Sequence, residues 1–186
     1  MKILSIASLL FVTSLVAGAA PRTWNFGDGS TFLLDLPEGA RVEQVSPPED
    51  KNNQAFTIRF PDEGASSTIS YQFLVTRADT STDWSTFEKI DAFLLKAGAE
   101  SLQAAADKQM KPIHLSMKNG VGSYLYFTDP DLVGKEITRP KVFREMMMVA
   151  CGVNGYTIFI RGYSNSTLAD YFKRMNQIIE SAVIRR

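Results

Sequence analysis

Two consecutive strands that are apolar on both faces set the strictest limit on how this chain can fold. Met146-Met147-Met148-Val149-Ala150-Cys151 and Tyr156-Thr157-Ile158-Phe159-Ile160 do not alternate polar with apolar residues. A strand of that kind belongs in the middle of a sheet whose two faces are covered. Gly152-Val153-Asn154-Gly155 lies between them, and Asn-Gly is the pair that most easily reaches the positive φ a type I′ turn demands. The spacing predicts strands over 141–151 and 156–163.

A closing helix is expected from about 168 to about 184. Leu168, Tyr171, Phe172, Met175, Ile178, Ile179 and Ala182 recur at steps of three and four and make one apolar stripe. Thr167 with Asp170 forms a capping-box pattern, and Arg185-Arg186 suits the negative end of a helix dipole. This helix covers one face of the central strands, so a second helical layer is required for the other. Helical spacing between 81 and 108 supplies it, with Ser85 and Glu88 as a capping box, Phe87, Ile90, Leu94 and Ala97 on one side, and an interruption at Gly98.

The remaining segments read as strands. Residues 23–26 and 31–36 flank Gly27-Asp28-Gly29-Ser30, and 55–60 and 67–76 are joined through Pro61-Asp62-Glu63-Gly64. Residues 112–117 and 121–128 form a hairpin around Lys118-Asn119-Gly120, and 128–139 follow as a polar loop. The polar run 46–53 is a loop as well. Strands, helix, strands and helix in that order predict an α+β fold, a mainly antiparallel sheet sandwiched between helices.

The N-terminus is expected to be an export signal. Lys2, an apolar run over 3–16 and Ala17-Gly18-Ala19 match a short signal peptide with a small-x-small cut, placed after Ala19 because Pro21 obstructs a later one. No cysteine stands at the cut, so no lipid anchor is expected, and 20–186 is long enough for one domain with its own core. The expected location is periplasmic or secreted, with no stable membrane span once the signal is removed. Cys151 is the lone cysteine, which excludes an internal disulfide, and its place in an apolar strand makes it a small buried hydrophobe. Charge is mildly uneven: residues 20–80 carry 5 basic and 9 acidic groups, residues 141–186 carry 7 and 3. That is too dispersed for a nucleic-acid partner.

Phe32-Leu33-Leu34-Asp35-Leu36-Pro37-Glu38-Gly39, Gly122-Ser123-Tyr124-Leu125-Tyr126 and the terminal two strands with an amphipathic helix resemble the PsbP-like superfamily. That superfamily also includes the Ran-release factor and small exported bacterial proteins. The resemblance implies an α-β-α sandwich and a non-catalytic accessory or binding role, and it carries no catalytic motif.

The residues themselves agree with that role. His114 is the only histidine, Ser116 is its neighbour along the strand face, and no G-x-S-x-G elbow is present, so neither nucleophilic catalysis nor a zinc site is expected. Asp129-Pro130-Asp131 with Glu136 offers oxygen ligands of the kind calcium prefers, but without EF-hand spacing, and reads as turn chemistry. Met146 and Met148, with Met117, Met147 and Met175, are core filler before they are a copper site. Asn165-Ser166-Thr167 matches a glycosylation acceptor. Candidate binding residues are Tyr124, Tyr126, Arg144, Arg161, Asp129 and Asp131, with Arg139 and Lys141 in the same basic cluster and Tyr163 beside it. Arg144 and Arg161 interrupt apolar strands and are expected to pair with a carboxylate such as Glu145 or Asp129.

The expected function is an exported, non-enzymatic accessory protein that binds another envelope protein, without a cofactor. The alternatives are a periplasmic carrier of a small ligand or metal ion, and an envelope immunity or inhibitor protein.

Overall fold

The structure is a computed structural model that describes residues 20–46, 52–60, 69–79, 83–106, 111–137, 142–166 and 168–186. The expected signal segment and its cut, the turn at Pro61-Asp62-Glu63-Gly64, Arg139, Lys141 and Thr167 lie outside the described residues.

The described strands are β1 (Ala20–Asn25), β2 (Thr31–Leu36), β3 (Arg41–Gln44), β4 (Asn53–Phe60), β5 (Ile69–Arg77), β6 (Ile113–Leu115), β7 (Gly120–Thr128), β8 (Glu145–Val153), β9 (Tyr156–Ser164) and β10 (Val183–Arg185). The helices are α1 (Phe87–Ala97), α2 (Ala99–Ala104) and α3 (Leu168–Glu180). Seven strands form one sheet in the order β3-β4-β5-β9-β8-β7-β6, and β1, β2 and β10 form a smaller one. Every described strand pair is antiparallel. The chain is thus a mainly antiparallel α+β fold.

The two-faced strands lie at the centre as their composition demands. β8 and β9 pair from Glu145↔Ser164 to Val153↔Tyr156. Asn154 (φ 48) and Gly155 (φ 81) are both left-handed at the turn, the geometry of a type I′ hairpin. Along β8, Met147, Val149, Cys151 and Val153 face the larger core, shared with Tyr171, Met175, Ile178 and Ile179 of α3. Met148 and Ala150 face the other way, into a smaller core with Ile90 and Leu94 of α1 and Leu125 and Phe127 of β7.

Three short helices do not by themselves make a sandwich. The small sheet shares the α3 side, bringing Trp24, Phe32, Leu34 and Ile184 into the larger core. On the opposite side α1 packs over β7 and β8, and the outward face of β4 and β5 carries no helix among the described residues.

Several local expectations are corrected. α3 ends at Glu180, and Val183–Arg185 is a strand paired with Thr31–Leu33, so Arg185-Arg186 do not cap a helix. A three-residue segment has too little period to announce itself; pairing with β2 decides its state. α1 is capped by Thr86, whose hydroxyl accepts from the Lys89 amide, one position after the expected Ser85. Its relation to the first apolar residue, Phe87, is the usual one. β3, a short edge strand, was not expected at all, and β8 begins at Glu145, four residues later than predicted. Met146 and Met148 face away from Met117, Met147 and Met175, so the sheet divides the methionines that a copper site would need together.

The β1–β2 turn is anchored across the fold. Asp28 accepts from the Tyr156 hydroxyl at 2.7 Å and from the Ser30 amide at 2.9 Å, with Arg77 at 3.6 Å. These contacts, the Tyr156 hydrogen bond foremost, hold its carboxyl down at about 2. A depressed carboxyl contributes stability that is complete above its ordinary value and is lost as pH falls through the folded one. Asp28→Asn is therefore expected to flatten the acid limb of a melting-temperature profile taken between about pH 2 and 5. Identical acid limbs in the variant and the parent would reject the anchor.

Candidate functional site

An open cleft of about 400 Å³ lies where β7, β8 and β9 end beside α2. Its floor is Phe127, Met146 and Tyr163, which share the α1 side of the sheet through the pairs Phe127↔Met146 and Met146↔Tyr163. Ser101, Ala104 and Ala105 form one wall, small enough to leave the space open, and Phe143 also lines the cleft with its ring 5.4 Å from that of Tyr163. The Ala106 amide donates to the Thr128 carbonyl at 2.9 Å and ties the exit of α2 to the strand end.

The polar rim is built from the loop after β7. Asp129 caps a 3-10 turn at Pro130–Leu132 by accepting from the Asp131 amide at 2.9 Å. The Asp129 amide donates to the Arg144 carbonyl at 2.9 Å. Arg144 returns the clamp, its Nε donating to the Leu132 carbonyl at 3.1 Å and its Nη2 to the Lys135 carbonyl at 2.7 Å. Its own amide donates to Asn165 Oδ1 at 2.7 Å, while Asn165 Nδ2 donates to the Val142 carbonyl at 2.7 Å. The amide nitrogen that glycosylation would modify is therefore engaged in holding the backbone.

Of the expected binding residues, the structure brings Asp129, Asp131 and Arg144 together at this cleft. Tyr124 and Tyr126 lie on the opposite face, half-buried against Phe172 of α3 at ring distances of 5.3 and 5.4 Å. Burial first, and Tyr126 second, push the Tyr124 hydroxyl pKa up. Arg161 shares the face of the cleft but lies toward β5, its guanidinium 5.6 Å from the Phe159 ring centre. The expected carboxylate partners are corrected: among the described residues neither Arg144 nor Arg161 forms an ion pair. Glu145 faces the other side of β8 and accepts from the Thr128 hydroxyl at 2.8 Å. Phe143, Met146 and the α2 wall were not foreseen, because only folding brings residues 101–105 beside 143–146.

The remaining reactive side chains are tied into the fold. His114 Nε2 lies 3.0 Å from Asp91 Oδ2 of α1, and its ring stacks on Phe87 with centres 4.0 Å apart. Ser123, across from His114 in the sheet, is wholly buried. Cys151 is wholly buried as well, and burial pushes its thiol well above the ordinary range. Among the described residues no group of three or more His, Cys, Asp or Glu is arranged to hold a metal ion. Nor, among them, is any helix long and apolar enough to cross a membrane.

No family model matches the chain, and no curated protein matches it. A solved crystal structure of a protein from Bacteroides thetaiotaomicron VPI-5482 is similar at 9% identity with a TM-score of 0.45, over 83% of this chain and 45% of that one. The chain thus spans less than half the length of that protein, and a likeness of this size carries no argument about function.

Proposed function

We propose that this chain is an exported, non-enzymatic binding protein of the cell envelope, layered in the PsbP-like manner, which works by contact with another envelope protein. The observation that carries this reading is the half of the sheet that α1 leaves bare. There Leu74 is 42% exposed and Val45 63% exposed beside half-buried Phe159. They line a shallow groove of about 410 Å³ with Arg161 at its edge. An apolar sheet face beside an arginine that has no carboxylate partner among the described residues suits a partner that offers an apolar side chain and an acidic group.

Leu74→Asp with Arg161→Glu reverses both features without touching the core. In a pull-down from the envelope fraction, a protein recovered by the parent is expected to fall about ten-fold in the double variant. Undiminished recovery of that protein would refute the contact. Export has its own test. Strand pairing at β1 begins with Ala20↔Leu36, so a cut after Ala19 spares every described pair. The exported protein is expected to start at Ala20 by intact mass, and retention of the whole chain inside the cell would refute export.

A second reading, a carrier of a small ligand, is favoured by the cleft between α2 and the strand ends, whose volume and mainly apolar lining are those of small-molecule sites. Native mass spectrometry of protein purified from its own envelope is expected to show a bound mass, absent after denaturation. Its absence would remove this reading.

A further inference from the structure

We propose that the cleft between α2 and the ends of β7, β8 and β9 binds a small zwitterion with an apolar body, the chemistry of a free apolar amino acid. This rests on the carrier reading and names its ligand class.

The cleft carries both signs of charge, and among the described residues no ion pair joins them. Arg144 is half-buried, and its Nε and Nη2 are spent on the carbonyls of Leu132 and Lys135. Those bonds fix the plane of the guanidinium, and among the described residues no carboxylate forms an ion pair with it. Asp129 and Asp131 line the same cleft and form no ion pair among the described residues. One Asp129 oxygen accepts from the Asp131 amide, which leaves its second oxygen and the whole Asp131 carboxylate for another donor.

A held guanidinium is a preorganised carboxylate site, because little side-chain freedom is lost when the anion arrives. Asp129 and Asp131, which line the same cleft, attract an ammonium. Either ligand charge alone is disfavoured: a simple carboxylate would meet Asp129 and Asp131, and a simple amine would meet Arg144. Only a molecule bearing both signs is attracted by both kinds of group. In the same cleft Phe127, Met146, Phe143 and Tyr163 present an apolar and aromatic surface, which suits an aliphatic or aromatic side chain better than a polar one.

Calorimetric titration of the protein with L-phenylalanine, 3-phenylpropionate and phenethylamine tests this. L-Phenylalanine is expected to bind saturably and about ten-fold more tightly than either single-charge analogue. Arg144→Lys retains the charge but not the planar fork and is expected to weaken the amino acid by about five-fold or more. Asp131→Asn, at an exposed side chain with no described partner, is expected to do the same with an unchanged melting temperature. That variant separates a lost ligand contact from a loosened loop. Equal binding of the three ligands, or full affinity in Asp131→Asn, would overturn the proposal. Should native mass spectrometry show a bound mass while L-phenylalanine and L-leucine give no saturable heat, the carrier reading stands and the zwitterion falls. If neither signal appears, both fall.

Discussion

Phe56→Ala is expected to destabilise the protein by about 3–5 kcal/mol, the range for deleting a fully buried phenylalanine. In a chain of this size that lowers the melting temperature by roughly 6–20 °C. Phe56 is 1% exposed, and its ring stacks between two others, Trp24 at 4.0 Å and Phe73 at 4.9 Å. Phe73 is its cross-strand neighbour in the large sheet, whereas Trp24 belongs to the small one. The stack is therefore a joint between the two sheets, and truncation removes contacts on both sides of it. Few interactions elsewhere can compensate, since total stability is itself only about 5–15 kcal/mol. Urea denaturation gives the number directly. Leu74→Ala, on the exposed face, is the control and is expected to stay within about 0.5 kcal/mol. A loss below about 1 kcal/mol for Phe56→Ala would show that the sheets are joined by other means.

Gly162→Ala is expected to cost about 3 kcal/mol, the upper end for forcing a methyl into a packed core. Gly162 sits in β9 between β5 and β8, facing α3. A Cβ there would collide with the hydroxyl of Tyr171 and lie 3.0 Å from both Tyr171 Cζ and Tyr71 Cδ1. The two tyrosine rings stack 5.4 Å apart, and the Tyr71 hydroxyl donates to the Tyr171 carbonyl at 2.7 Å. Neither ring can yield without moving the helix. The Tyr171 hydroxyl is buried and has no hydrogen-bond partner among the described residues. Removing it leaves no partner stranded, so Tyr171→Phe alone is expected to change stability by less than about 1 kcal/mol. Combined with Gly162→Ala it is expected to recover about half the loss, a coupling that a double-mutant cycle measures. Strict additivity of the two changes would show that the glycine is not required by that hydroxyl.

Some of this architecture was legible because its causes are local. The Asn154-Gly155 turn follows from which residues tolerate positive φ, the stripe of α3 from its spacing, and the central position of β8 and β9 from their apolar composition. The Asp129–Asp131 turn was likewise visible as Asp-Pro-Asp chemistry. Which of the two sheet faces each candidate residue would occupy was not. Tyr124 and Tyr126 fell on the face away from the cleft because face is set by pairing register, and a shift of one residue reverses it, whereas Arg161 shares the face of the cleft but lies toward β5.

The sequence alone determined a mainly antiparallel sheet with β8 and β9 at its centre and an amphipathic helix against it, because hydrophobic period and turn chemistry act between near neighbours. Tertiary structure alone decided that Val183–Arg185 would leave the helix for β2, with Ser181 Oγ accepting from the Asp35 amide 146 positions away. It also decided that Ser101 and Ala105 would wall a cleft with Arg144. Those outcomes depend on partners supplied by distant parts of the chain, and no short window of sequence contains both sides of such a contact.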